Sequence, residues 1–407
     1  MKRLTVMIKP ASSLCDMRCT YCFYYDVAAS RHRASMGIMT RETAAALIRN
    51  VYSELTAGDS ISFAFQGGEP GLAGLDFFIF FAETAKNAAG RGVKTSYAFQ
   101  TNGLMIDDAW CRFFKDNNVL VGLSLDGDSA LHNHNRIDAH KKGTHSRVME
   151  AKKLLDRHGV HYNVLCVLTS ESARRARRLW GFILKEGIRY IQFIPCLEPL
   201  DTATQIDSIS ADDTAMQLND KSVNGAAAQL NDASGAEMAM SIDDTPNTGT
   251  MAALTASRFY KFYADLFPLW KAEASKGNAI SIRLFEDLAG IYLAGRGLTC
   301  GISGRCTPQI VVEADGSVYP CDFYVLDEYR VANLAESSIK DVFEAIVACG
   351  FLGQAQHVYA RCGGCQYYKW CQGGCKRMAK AVYGDECGMK MFLDEYLKEL
   401  LAVMSRA

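Results

Sequence analysis

Eleven of the fifteen cysteines in this 407-residue chain fall in two groups whose spacing suits metal chemistry. Cys15, Cys19 and Cys22 stand together near the N-terminus, in Cys-Asp-Met-Arg-Cys-Thr-Tyr-Cys. Cys300, Cys306, Cys321, Cys362, Cys365, Cys371, Cys375 and Cys387 lie in the last third. Thiolates bind soft metals and iron–sulfur clusters, and a complete cubane usually takes four of them. Eight therefore make two full sets. Three make an incomplete one, with a coordination position left open for something else. Spacing alone also allows a zinc site at Cys362, Cys365, Cys371 and Cys375, and it does not say how the eight divide. The remaining four, Cys111, Cys166, Cys196 and Cys349, are isolated in apolar surroundings and read as small buried hydrophobes.

Such ligands need a scaffold, and the first two hundred residues supply a regular one. Six β-rich runs, at 4–10, 61–65, 95–99, 119–125, 162–168 and 190–194, alternate with helical stretches at 40–55, 75–89, 107–117 and 146–159. The runs are almost continuously apolar, as in a parallel sheet buried on both faces. Strand–helix units in succession predict an α/β fold, a partial (β/α)6 TIM-like barrel over 1–200 with right-handed crossovers. Residues 201–256 are rich in Asp, Ala, Thr, Ser and Asn and hold no aromatic residue. They read as a flexible insertion. A helical connector (257–299), a small cysteine-rich domain (300–387) and a closing helix (388–407) follow. Within the cysteine-rich part, Asp315-Gly316 joins two short strands as a hairpin.

In a β/α barrel, chemistry collects at the C-terminal ends of the strands. Reading past each predicted strand gives Cys15, Cys19 and Cys22 with Tyr21 and Tyr24, then Gln66-Gly67-Gly68-Glu69, then Gln100-Thr101-Asn102-Gly103. Ser124 with Asp126-Gly127, and Pro195-Cys196-Leu197, complete the set. Adjacent glycines such as Gly67 and Gly68 allow close approach of a ligand to the backbone. Ser124 and Arg136 are candidates to bind a polar ligand. His132 and His134 lie near the fourth strand end without a partner set that would make them metal ligands.

Composition narrows the classes. Lys plus Arg number 44 against 45 Asp plus Glu, which excludes the whole-chain basic signature of a nucleic-acid binder. No uncharged apolar run reaches the ~18 residues of a membrane span, and no secretory signal is visible at the start. An odd cysteine count argues against a fully paired secreted framework. The expectation is a cytoplasmic protein whose thiols stay reduced.

Cys15-x3-Cys19-x2-Cys22, with an aromatic before the last cysteine, resembles the signature of the radical S-adenosylmethionine superfamily. The series from Cys300 to Cys387 resembles the SPASM extension. With Gln66-Gly67-Gly68-Glu69-Pro70, Gln100-Thr101-Asn102-Gly103, Gln192-Phe193-Ile194-Pro195-Cys196 and Tyr319-Pro320-Cys321-Asp322, the chain is most similar to the anaerobic sulfatase-maturating enzymes. That resemblance implies S-adenosylmethionine and three 4Fe-4S clusters as cofactors. Cys15, Cys19 and Cys22 would hold the first cluster. Cys300, Cys306, Cys321 and Cys375 would hold the second, and Cys362, Cys365, Cys371 and Cys387 the third. Tyr21, Gly67, Gly68, Glu69, Ser124, Arg136 and Leu197 would contact S-adenosylmethionine. Asp322 would be the general base, with Tyr24, Gln66 and Gln100 positioning the substrate. The substrate implied is a sulfatase polypeptide whose cysteine or serine becomes Cα-formylglycine. An electron donor such as flavodoxin or ferredoxin, and a monomeric state, are also expected. Two other readings stay open: a SPASM maturase that forms cross-links or epimers in a ribosomal peptide, and a zinc or iron–sulfur redox-sensing module.

Overall fold

The computed structural model describes residues 1–200, 252–297, 299–354, 359–384 and 386–405. Strands β1 (Arg3–Ile8), β2 (Ser60–Phe65), β3 (Lys94–Thr101), β4 (Leu120–Ser124), β5 (Tyr162–Leu168) and β6 (Tyr190–Pro195) pair in sequence order, all parallel. Helices α1 (Phe23–Ala29), α2 (Arg41–Tyr52), α3 (Leu75–Ala88), α4 (Asp108–Asp116), α5 (Ser129–Asn135), α6 (His145–His158) and α7 (Ala176–Lys185) lie between them. Their ends follow local chemistry. Thr40 caps α2 by accepting from the Thr43 amide, and Asp107 caps α4 by accepting from Ala109 and Trp110. Gly159 closes α6 at φ +60°, a conformation that glycine adopts without a Cβ penalty.

The period-2 geometry of the strands sorts their side chains. In β2, Ile61, Phe63 and Phe65 are fully buried; Phe63 packs against Tyr52 of α2 and Phe81 of α3. Burying such a side chain contributes about 1.5–3 kcal/mol. The opposite face of β2, with Ser62 and Ala64, is only half-buried. The strands are thus not buried equally on both faces as their apolar runs predicted. One face carries the core and the other lines an open interior, which leaves room for a site.

Two edges extend the sheet beyond the six predicted strands. β7 (Ser281–Ile282) adds parallel to β6, inside the segment expected to be helical connector. At the other edge β8 (Ile310–Val312) pairs parallel with β1, and β9 (Ser317–Tyr319) and β10 (Ala332–Asn333) follow antiparallel. The hairpin turn falls at Asp315-Gly316, where Gly316 has φ +85°. The cysteine-rich region is therefore continuous with the barrel sheet and does not stand apart from it. Cys321 and Asp322 follow β9, and the Asp322 carboxylate reaches the ammonium of Lys9, just past β1, at 2.6 Å. The insertion expected over 201–256 lies outside the described residues as far as 251. Leu254, inside that range, is buried and donates its amide to the Cys196 carbonyl at 2.9 Å. Ala256–Ser275 and Gly388–Met404 form long helices that pack together through Tyr263, Phe267 and Phe392. Among the described residues no helix is long and apolar enough to cross a membrane.

Candidate active site

The cysteine loop after β1 is clamped by the loop after β2. Gly68 donates its amide to the Ser12 carbonyl and Glu69 donates to Leu14, at 2.9 and 2.7 Å. A Cβ on Gly68 would stand 2.0 Å from the Leu14 carbonyl oxygen, and Gly67 has φ +128°, where a Cβ would stand 2.8 Å from the Ser12 carbonyl oxygen. The two glycines thus seat the cysteine loop. Glu69 is buried, and its carboxylate accepts from Thr101 Oγ1 (2.9 Å), the Asn102 amide (2.7 Å) and the Gly71 amide (3.1 Å). Burial pushes Glu69 up to about 7. Its visible partners hold the loops after β2 and β3 together.

Cys15, Cys19 and Cys22 lie close enough to feel one another's charge, and burial raises all three thiols, Cys19 to about 12. The Arg136 guanidinium beside Cys19 works against that rise. Arg136 is itself held by Asp126: its Nε donates to Oδ2 at 2.9 Å. Asp126 Oδ2 also accepts from the Tyr21 hydroxyl, and Oδ1 accepts from the Val167 amide at 2.9 Å. Tyr21 and Arg136, predicted to contact S-adenosylmethionine, are thus brought together on Asp126, which the strand-end set contained without a role. Ser124 accepts from Gln100 Nε2 at 3.1 Å. Leu197 lies past β6, half-buried beside the buried Cys196.

A second carboxylate gathers the other predicted residues. Asp322 Oδ2 accepts from the Tyr24 hydroxyl at 2.7 Å and from Gln66 Nε2 at 2.9 Å. Oδ1 meets the Lys9 ammonium at 2.6 Å, off the direction of a good hydrogen bond. The register explains the convergence. Ile8 pairs with Phe65, and Phe65 with Phe99, so Lys9, Gln66 and Gln100 follow in one row and point to the interior face. Gln100 pairs with Gly122, where a Cβ would fall 2.5 Å from Gln100 Oε1. Gln100 reaches Ser124, two residues before Asp126 in the chain. Burial, reinforced by the Asp322 anion, raises the Tyr24 phenol well above its usual value, so it remains a donor.

The eight C-terminal thiols sort into two groups. Cys300, Cys306, Cys321 and Cys375 lie within electrostatic reach of one another. Cys371 and Cys387 likewise neighbour Cys362 and Cys365, and all four line one small pocket with Arg361, Tyr383 and Lys390. Spacing had left this division open. Among the described residues no three Cys, His, Asp or Glu side chains close around a point suited to a single metal ion. The two groups of four and the three-cysteine loop fit iron–sulfur clusters by donor type and grouping.

Other positions differ from expectation. Cys111, Cys166 and Cys196 are buried, but Cys349 is exposed, because it ends the helix Ile339–Ala348 on the outer surface. His132 is fully buried, accepting from the Asp126 amide and bonded to Thr144. Asp126 stood in the strand-end set without a role, and Lys9 was missed. Lys9 follows Thr5 and Met7 on the interior face of β1, so strand parity carried the signal. A cavity of about 360 Å³ at the opposite, N-terminal ends of β4 to β6, lined by Leu120, Tyr162 and Tyr190, takes no part in this chemistry.

Comparison with known proteins gives a consistent picture. The Radical SAM superfamily matches residues 10–178, and an iron-sulfur cluster-binding domain, SPASM, matches residues 304–366. A cysteine-type anaerobic sulfatase-maturating enzyme of Clostridium novyi is 34% identical over 97% of this chain and 94% of its own. A serine-type anaerobic sulfatase-maturating enzyme of Klebsiella aerogenes is 28% identical over 94% of this chain and 82% of its own. A solved structure of native anSMEcpe with bound AdoMet and Cp18Cys peptide superposes with a TM-score of 0.80 at 33% identity, covering 99% of both chains. SuiB of Streptococcus suis, at 15% identity and a TM-score of 0.57 over 92% of this chain and 72% of its own, shares the fold alone.

Proposed function

From the membership of this chain in the anaerobic sulfatase-maturating enzymes, which are radical S-adenosylmethionine oxidoreductases, we propose that it oxidises a cysteine of a sulfatase to Cα-formylglycine. Its cofactors are S-adenosylmethionine and iron–sulfur clusters. The observation that carries the reading is Asp322, which receives Tyr24, Gln66 and Lys9 from the barrel while following Cys321 directly. The cysteine preference is supported by the higher identity to cysteine-type than to serine-type relatives.

Cys15, Cys19 and Cys22 would hold one cluster and leave one iron for S-adenosylmethionine. The two C-terminal groups would each hold a further one. When bound, these groups supply a carbon radical that takes a hydrogen atom from Cβ and an acceptor for the remaining electron. The protein's own task is the proton. Once Cβ has lost its hydrogen, the substrate thiol must lose H⁺ as the carbon–sulfur double bond forms, and water then replaces sulfur to give the aldehyde. Asp322 accepts that proton. Tyr24 and Gln66 both donate to Oδ2 and orient the carboxylate, so the open capacity lies on Oδ1. Glu69, Thr101 and Asn102 fix the loops around the cysteine triad. Gly67, Gly68, Ser124, Arg136, Tyr21 and Leu197 would border S-adenosylmethionine.

A sulfatase-derived polypeptide is the partner, and a low-potential carrier such as flavodoxin or ferredoxin would deliver electrons to a monomer. A cytoplasmic setting suits fifteen free thiols. Anaerobically reconstituted protein, incubated with cysteine- and serine-containing sulfatase peptides and read by mass spectrometry, tests the reading. Formylglycine from the cysteine peptide supports it. A cross-linked or epimerised peptide would favour the maturase, and about two zinc ions in place of about twelve irons would favour the redox module.

A further inference from the structure

Lys9 is buried, with an exposure of 2%, and among the described residues its ammonium has one carboxylate within ion-pair reach, Asp322. The side chain is confined along its whole length. Its backbone amide is fixed on the Val312 carbonyl at 2.8 Å. The stem packs where Gly67 lacks a Cβ, since a carbon there would stand 3.1 Å from Lys9 Cγ. The head lies 3.8 Å over the Tyr24 ring, a cation–π contact with the residue that also donates to Asp322. A buried ammonium is not placed so without an anion to compensate it.

We infer that Lys9 is a positioning residue for the oxidation. It pins Asp322 so that Oδ1, beside the ammonium, is the oxygen presented to the substrate thiol. A carboxylate oxygen accepts about two hydrogen bonds. Oδ2 already has two, from Tyr24 and Gln66, whereas Oδ1 has a single off-axis ionic contact. Because Lys9 follows β1 and Asp322 follows β9, the pair also ties the carboxylate to the barrel. Without the ammonium, Asp322 could rotate about its side-chain bonds and present a saturated oxygen.

The inference rests on Asp322 as proton acceptor. The test compares Lys9→Met, Lys9→Arg, Asp322→Asn and the double variant Lys9→Met/Asp322→Asn with the unaltered chain. Iron content, 5′-deoxyadenosine and formylglycine are measured in each, with a cysteine peptide as substrate. Lys9→Met is expected to keep its iron and its release of 5′-deoxyadenosine. Its formylglycine per 5′-deoxyadenosine should fall about tenfold to a hundredfold, the loss typical of a charged hydrogen-bonding partner. Its KM for the peptide should not change. In the Asp322→Asn background the Lys9→Met change should cost nothing further, and Lys9→Arg should restore part of the ratio. An unchanged ratio in Lys9→Met, or an equal loss in both backgrounds, overturns the inference and leaves the proposed function standing. If Lys9→Met does not fold, Lys9→Arg and Lys9→Gln decide by the same ratio: retained by Arg and lost by Gln supports the inference, and equal behaviour overturns it. If the unaltered chain makes no formylglycine, the proposed function fails first, and this inference falls with it.

Discussion

Two carboxylates, Asp126 buried and Asp322 partly so, each meet a tyrosine and a cation, yet they are built for different work. Asp126 takes the Tyr21 hydroxyl, Arg136 Nε and a backbone amide of β5, with its side chain 4% exposed. Asp322 takes the hydroxyl of Tyr24, three residues on, with Gln66 and Lys9, and its side chain is 13% exposed. Asp126 is engaged by rigid partners, a guanidinium and the main chain. Asp322 is met by a confined ammonium that lies off the direction of a good hydrogen bond, so Oδ1 keeps its hydrogen-bonding capacity. The difference separates a carboxylate that holds a binding site from one that can accept a proton.

Substitution should break this pairing unequally. Asp322→Asn is expected to lower formylglycine formation by about 10²–10⁴-fold, the usual weight of a general base, while 5′-deoxyadenosine is still released; both are quantified by chromatography from one reaction. Asp126→Ala should act on everything at once. It strands the Arg136 guanidinium in a buried site, which costs about 3–5 kcal/mol, measurable by urea unfolding of the metal-free chain. It should also reduce 5′-deoxyadenosine and formylglycine together. A selective loss of formylglycine alone would contradict the assigned role of Asp126. Tyr24→Phe removes one donor from the Asp322 carboxylate, so product formation should fall by about 1.5–3 kcal/mol in barrier terms, with the unfolding midpoint nearly unchanged.

The smallest effect concerns the support beneath Asp126. His132 accepts from the Asp126 amide through Nδ1, and its Nε2 bonds Thr144, which in turn donates to the Arg136 carbonyl. Burial, reinforced by the Arg136 cation, lowers His132 to about 2, far below its ordinary value of 6.5. The folded state therefore binds the imidazole neutral, and the unfolded state takes up the proton first. Stability present above pH 6.5 is lost as pH falls below it, by about 1.4 kcal/mol per unit. Unfolding at pH 7.5 and 5.5 should show that His132→Gln removes about this much of the pH dependence. An unchanged slope would show that His132 is protonated in the fold.

How much of this was legible in the sequence depended on what kind of order each residue obeys. The six strands and the helices Arg41–Tyr52, Leu75–Ala88, Asp108–Asp116 and His145–His158 follow local periodicity and caps, and they could be read within a few residues. The eleven cysteines proposed as cluster ligands stood out by type and spacing. The union of the cysteine-rich hairpin with β1 could not be read, because β8 and β1 are some three hundred residues apart and only register brings them together. Lys9 was missed, and Asp126 was named at a strand end without a role, for related reasons. A lysine ending a strand and an aspartate before glycine look like ordinary punctuation until the third dimension supplies their partners. The exposure of Cys349 was missed because apolar neighbours along the chain do not fix which face of a helix end meets solvent.

The proposed reaction begins with removal of a hydrogen atom from Cβ of a substrate cysteine, with the thiol proton passing to Asp322. It can be followed with a sulfatase-derived peptide deuterated at Cβ of its target cysteine, the anaerobically reconstituted protein and S-adenosylmethionine. Deuterium in the 5′-deoxyadenosine and an aldehyde in the peptide, in comparable amounts, are expected of this reaction. Unlabelled 5′-deoxyadenosine beside an unaltered peptide would contradict it.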